Sequence, residues 1–547
     1  MLVATLTLVL VSCGGGASRQ DGPAPEIGTI DIGAAPADTL RDGGTLRWSL
    51  SGFPPNFNYN HLDGTYVPTE EVVGSVMPYL FLSQPDGTVK INSDYLKSAE
   101  LTSSNPQVAT YTLRDEATWS DGTPITWRDF QAQWQALNRS NKAFLISSST
   151  GFADIASVER GISDKQAVVT FARPFSDWQS LFTPLYPAST NLNPDVFNTG
   201  WTQRLPVTAG PFKVEQIDQT AKTITVVRDE KWWGPKPRLD RIIFRAIPDE
   251  AAFDALANNE VDFAEIGPNL NSFTRAQTTT GVKVRKALAP NYRHITFNGN
   301  PGSILADQQL RIAIQKGINS QAITQAQIGR IVPDPKPLGN HIFVQGQRGY
   351  QDNSRIAAYN PDEASKMLDQ LGWTRQGEGI RSKDGRELVI RDVIPNQVPV
   401  AEQESRQVQQ FLSQIGVKVE ITPVPTDDLF DKNVIPGNFD IAHFSWFGTV
   451  FPISGKGSIY GTRGETQQNF GGIANETINN LFAEASAELD PARKIELANQ
   501  IDQEIWKTGH SLPLYQRPNV VAVRDGVANF GAFGFADEIY TDIGFSR

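Results

Sequence analysis

Chemistry in this 547-residue chain would have to come from few places. The five histidines, His61, His294, His341, His443 and His510, are scattered, and no two stand at the helical spacing that lets a pair grip one metal ion. There is no His-Glu-x-x-His, no Gly-x-Ser-x-Gly turn and no phosphate-binding loop, because Gly455-Lys456-Gly457 lacks the following Ser/Thr and the upstream glycine. The chain therefore does not read as an enzyme, no cofactor is expected, and any metal site would have to be assembled by the fold. Two segments do concentrate groups suited to binding. One is His443-Phe444-Ser445-Trp446-Phe447-Gly448-Thr449; the other is the Pro- and Asn-rich stretch Phe53-Pro54-Pro55-Asn56-Phe57-Asn58-Tyr59-Asn60-His61. Aromatic rings either bury large area in a core or line a pocket for apolar and planar groups, and both readings stay open for these rings.

The single cysteine, Cys13, excludes an intrachain disulfide and a thiolate metal cluster. It follows the uncharged, Leu/Val/Thr-rich residues 1–12, too short for a spanning helix. Leu10-Val11-Ser12-Cys13 resembles the lipobox that ends a bacterial lipoprotein signal peptide, with Cys13 as the lipidated residue. The basic opening of such a peptide is missing, so a start codon further upstream is expected. Residues 13–42, rich in Gly, Ala, Pro, Asp and Ser, read as a flexible tether after the anchor. A formal net charge of -11 argues against nucleic-acid binding, which needs clustered Lys and Arg.

The elements that must position these groups begin at Gly43. Thr45-Leu46-Arg47-Trp48-Ser49-Leu50 alternates apolar and polar like a half-buried strand. Thr126 with Asp129 three residues later signals a helix start, and Trp127, Phe130, Trp134 and Leu137 form its core-facing stripe. Asn360-Pro361 opens a second helix, with Ala364, Met367, Leu368 and Leu371 inward and Gly372 as its stop. Val408, Phe411, Leu412 and Ile415 line a third, followed by the alternating Val417, Val419 and Ile421. Strand and helix keep alternating, as in mixed α/β domains, and no internal repeat is visible.

Several of these segments, in this order, resemble the oligopeptide/dipeptide/nickel-binding family of ABC-transporter solute receptors over about residues 43–530. Those carrying the resemblance are Tyr111-Thr112-Leu113-Arg114, Trp119-Ser120-Asp121-Gly122-Thr123-Pro124, Gly210-Pro211-Phe212, Trp232-Trp233-Gly234, Asn360-Pro361-Asp362-Glu363-Ala364, Phe439-Asp440-Ile441-Ala442 and Leu512-Pro513-Leu514-Tyr515. The resemblance implies two mixed α/β lobes closing over a ligand like a flytrap. Residues 43–62, 170–288 and 510–547 would form the first lobe, 63–169 an insertion in it, and 289–509 the second. Crossovers would fall near 287–292 and 509–512.

By position, the resemblance implies that Trp446 and Phe447 face the ligand, with His443, Asn60, Asp63, Glu265, Tyr292 and Tyr515 as further contacts; Trp446 can instead belong to a lobe core. Peptide-binding members carry an aspartate three residues after that tryptophan, to pair with the peptide's α-ammonium; this chain has Thr449. A hydroxyl cannot neutralise a buried ammonium. Either Asp63 or Glu265 replaces the aspartate, or the ligand is not a free-amino peptide. The expected role is that of a monomeric, lipid-anchored receptor on the extracytoplasmic face of the cell membrane, delivering oligopeptides or similar small solutes to a membrane permease. A receptor-fold lipoprotein regulating the cell envelope through protein contacts is the alternative, and binding of a nickel chelate or haem near His443 and His294 is a minor one.

Overall fold

The computed structural model describes residues 27–462 and 468–547, so Cys13 and the signal segment around it lie outside the described residues. Alternation makes the first strand: in Thr45–Leu50 the side chains of Leu46, Trp48 and Leu50 are buried on one face. It pairs in parallel with Arg241–Ala246, and Thr223–Arg228 and Phe212–Asp218 complete a four-stranded sheet. A second, wholly antiparallel sheet has the order Leu96–Ser104, Gln107–Leu113, Gln166–Phe171, Ile155–Arg160. The helix Trp127–Leu137 packs on Ile155–Arg160 and Gln166–Phe171. Thr126 Oγ1 accepts from the Arg128 amide at 3.3 Å and the Asp129 carboxylate accepts from the Thr126 amide at 2.8 Å, a closed capping box. Phe130 and Leu137 are buried and Trp127 and Trp134 pack against the same core.

The third sheet has six strands in the order Phe263–Glu265, Ser511–Arg524, Val282–Phe297, Ile441–Trp446, Val389–Pro395, Lys418–Val424. Its far edge is parallel, built by strands that alternate with helices such as Pro399–Gln414. The Asn360 side chain accepts from the Glu363 amide at 3.0 Å to start Pro361–Gln370. Gly372, at φ +85°, then takes the left-handed turn that other residues resist.

Val282–Phe297 and Ser511–Arg524 run antiparallel through the centre of the molecule, and the register between them breaks between Leu288 and Tyr292. The break faces Pro518 and Gln516, downstream of 509–512, where the second crossover is expected. One apolar core gathers around Trp48, Tyr111, Phe130, Trp201 and Phe244, a second around Ile295, Leu310, Val408, Leu412 and Trp506.

The described part of the expected tether is a correction. Asp31 bridges to Ala532 and its carboxylate accepts from the Lys286 amide at 3.0 Å. The Asn529 side chain exchanges hydrogen bonds with the Ala35 backbone at 2.8 and 2.9 Å, and Leu40 is buried. A segment without periodicity still has backbone donors and acceptors, and here the C-terminal tail satisfies them. No helix among the described residues is long and apolar enough to cross a membrane.

Candidate functional site: the cavity between the lobes

A cavity of about 480 Å³ opens between the two lobes. One wall comes from the helix Val67–Gly74, the following segment through Tyr79, and the C-terminal tail 534–541; the other comes from Pro290 and the turn Gly448-Thr449-Val450. Two hydrogen bonds fix the tail. The Asp537 carboxylate accepts from the Ser83 amide at 2.8 Å, and the Tyr540 hydroxyl donates to the Glu71 carbonyl at 2.7 Å. Between these pins Glu538 lines the cavity beside Glu70 and Glu71. On the facing wall, Gly448 donates to the Pro290 carbonyl at 3.0 Å, and a Cβ at this position would sit 2.6 Å from that oxygen, so only glycine permits the approach.

The lobes meet around this cavity. Asp177 is buried, accepts from the Ser454 amide at 3.1 Å and pairs with the Lys494 ammonium. Ser176 donates to the Ser486 carbonyl at 2.7 Å, and Arg348 to the Asp86 carbonyl at 2.8 Å. Backbone and side-chain bonds thus cross the gap.

The cavity wall on the first lobe is acidic. Burial pushes Glu538 up to about 8, with Asp537 and Glu70 adding repulsion. Burial likewise raises Asp537 to about 7, against the pull of the Ser83 amide. Glu71 is driven well above the ordinary carboxylate range by burial and then by Glu538 and Glu265. Glu70 is exposed to solvent and accepts from the Tyr59 hydroxyl at 3.1 Å. None of these four carboxylates forms an ion pair among the described residues.

The residues expected at the site divide. Thr449 lines the cavity, its hydroxyl accepting from the Phe451 amide at 3.1 Å, and Tyr59 of the aromatic loop faces it as well. Phe57 of that loop is buried, so the loop both staples itself to the core and reaches the cavity. Trp446 is half-buried: its ring stacks on His294 at 5.6 Å and on Phe470 at 5.9 Å, in contact with the second lobe's apolar clusters. Phe447 is exposed, Asp63 is exposed, and Asn60 accepts from the Ser147 amide; none of the three lines the cavity. Glu265 ends its strand in range to raise Glu71.

His443, Tyr292 and Tyr515 are corrections, because all three are buried and bonded within the protein. The Tyr292 hydroxyl donates to the His341 carbonyl at 3.2 Å and accepts from Lys456 Nζ at 3.0 Å, with the Tyr460 hydroxyl at 2.9 Å. Tyr515 donates to Glu404 at 2.7 Å, and Arg293 grips the same carboxylate with two bonds. His443 Nε2 lies 3.1 Å from Asp392 and Nδ1 3.4 Å from Glu404. Burial opposes every charge in this network, yet Arg293 and His443 hold Glu404 down to about 2, and Asp392 and Glu404 lift His443 to about 9. Strand alternation could not reveal this, since both faces of a central strand are covered.

Sequence reasoning missed Glu70, Glu71, Asp537 and Glu538. Their one visible signal is two adjacent acidic pairs at opposite ends of the chain, which nothing local connects. Among the described residues no group of three or more His, Cys, Asp or Glu is placed to hold a metal ion.

Two lobes that share a central sheet and enclose a cavity define a receptor for small solutes. The family described as "Bacterial extracellular solute-binding proteins, family 5 Middle" matches residues 90–468, and this chain belongs to it. The oligopeptide-binding protein OppA of Mycobacterium tuberculosis is 46% identical over 522 residues, 95% of this chain and 88% of that protein. Among solved structures, the periplasmic EDTA-binding protein EppA superposes with a TM-score of 0.85 at 26% identity, covering 96% of this chain and all of its own. The oligopeptide-binding protein AppA from Bacillus subtilis, in complex with a nonapeptide, gives 0.73 at 19% identity over 93% of this chain and shares the fold.

Proposed function

We propose that this chain is the capture component of an ABC importer: it takes up oligopeptides or similar small solutes between its lobes and presents them, closed, to a membrane permease. The observation that carries the reading is the cavity of about 480 Å³ walled by both lobes, a volume within the range of small-molecule sites. A guest touching both walls stabilises the shut form, and the shut form is what a permease can distinguish. The name of the OppA relative supports peptides as the guest class. Lipidation at Cys13 would keep the receptor at the extracytoplasmic face of the membrane as a monomer. The importer reading is favoured over a regulatory one by that relative and by AppA in its peptide complex.

Native mass spectrometry of the protein purified from its own organism tests the proposal, joined to thermal shift against a peptide library. Co-purified peptide and a melting temperature raised by library members are expected. No mass above the bare chain, with no stabilisation by any peptide, would sink the reading.

A further inference from the structure

We infer that residues 27–36 act as a strap across the hinge, a third link between the lobes that holds them in the arrangement seen and resists their parting. The inference concerns the opening motion and does not depend on which guest is captured. The strap is fixed to the first lobe in two ways. Leu40 is buried and the chain runs on into the strand Thr45–Leu50. The Ile32 carbonyl accepts from the Phe530 amide at 3.0 Å, and Asp31 and Ala532 exchange amide-to-carbonyl bonds at 2.8 and 2.9 Å. The strap is also bonded to the crossover strand Val282–Phe297. The Asp31 carboxylate accepts from the Lys286 amide at 3.0 Å, the Ile32 carbonyl from the buried Arg285 guanidinium at 2.7 Å, and the Gly28 carbonyl from the Leu288 amide at 2.9 Å.

Leu288 is the last paired residue before the register of the two central strands breaks, and the bond from Gly28 falls on that residue. Past the break the strap reaches the second-lobe side. A Cβ on Gly346 would lie 2.5 Å from Thr29 Cγ2, so the two stand in close approach, and Ile27 packs against the apolar cluster that holds Ile295, Leu310 and Val408. On the first-lobe side, a Cβ on Gly534 would strike the Thr29 carbonyl. Thr29 is thus gripped between the C-terminal tail and Gly346, and a motion that separates those two cannot leave it in contact with both. A segment that only spanned distance would need no such register. Hinge closure is absorbed by a few backbone positions, and bonds that tie those positions to a fixed segment oppose the change.

The test uses the whole chain with Cys13→Ser, so that two introduced cysteines carry the only spin labels. These are Ser104→Cys on the strand Leu96–Ser104 of the first-lobe insertion and Ser413→Cys on the helix Pro399–Gln414 of the second lobe, both at exposed positions. Pulsed electron resonance reads the interlobe distance with no guest added, in this chain, in one shortened to begin at residue 37, and in Asp31→Ala. One net hydrogen bond changes an equilibrium about threefold or more, so Asp31→Ala should raise the population of the longer, opened distance about threefold and loss of the whole strap about tenfold or more. Hydrogen exchange reports release of the strap: the Lys286 amide should lose protection in both variants and the Leu288 amide in the shortened chain. If the shortened chain does not fold, Asp31→Ala decides alone. Unchanged or shorter distances in every variant that folds would overturn the inference, whatever the melting temperature does, because the segment would then brace the strand without acting on the lobes.

Discussion

Glu404 is fully buried and Glu538 half-buried, and their surroundings drive them apart. Glu404 sits where the two central strands meet the helix Pro399–Gln414, and Arg293, His443 and Tyr515 close around it. Glu538 sits on the cavity wall, where its neighbours are acids. The first is held down to about 2 and the second is pushed up to about 8. Partnership makes the difference: Glu404 is paired within the fold, whereas Glu538 has acids for neighbours and no ion pair among the described residues.

That contrast is broken most severely at Arg293. Arg293→Met leaves Glu404 buried without its main counter-charge, and urea denaturation should show a loss of about 3–5 kcal/mol. A loss under about 1 kcal/mol would show that the network is loosely solvated and the contrast false. Trp446→Ala should come next. With the ring stacked between His294 and Phe470, about 2 kcal/mol of unliganded stability is expected to go, measured the same way. Unchanged stability with weakened peptide binding would instead move Trp446 to the guest's side.

Asp177→Asn removes the charge that Lys494 and Ser454 hold across the gap. Scattering should show a more open unliganded form, and affinity should fall by about tenfold, equivalent to about 1.4 kcal/mol. An unchanged radius and affinity would show that the bridge is incidental to closure.

The smallest effect is the most diagnostic. Glu404, depressed in the fold, contributes stability that is present above its ordinary value near 4.5 and is lost as pH falls toward about 2. His443, raised in the fold, contributes stability below its ordinary value near 6.5 that is lost as pH rises through about 9. Glu538 has the opposite sign to Glu404, since its unfolded form ionises first and stability drains away between about 4.5 and 8. Glu538→Gln should therefore change nothing near pH 5 and stabilise the protein at pH 8 by about 1 kcal/mol or less, read from melting curves across pH. Destabilisation at pH 8 would mean that the carboxylate already has a partner inside the chain.

Much of the scaffold was readable from residue order. The strand Thr45–Leu50 and the capped helices Trp127–Leu137 and Pro361–Gln370 follow from alternation, helical stripes and cap residues that act over a few positions. The site was read less well. Thr449 was noted only as the place of a missing aspartate and the aromatic loop was left with two readings, while His443, Tyr292 and Tyr515 were placed at the ligand and lie inside the protein.

The amino-acid sequence by itself determined strands, helix starts and stops and a mixed α/β class, because each of these is written in local spacing or a single residue type; the two lobes and the missing aspartate at Thr449 were implied by the resemblance to a known family. Only the tertiary structure decided that Glu70 and Glu71 meet Asp537 and Glu538 across one cavity, and that Arg293, Glu404 and His443 neutralise one another away from it. The reason is physical: an ionisable group's behaviour depends on which distant charges reach it and how much water is excluded, and neither is set until the chain has closed on itself.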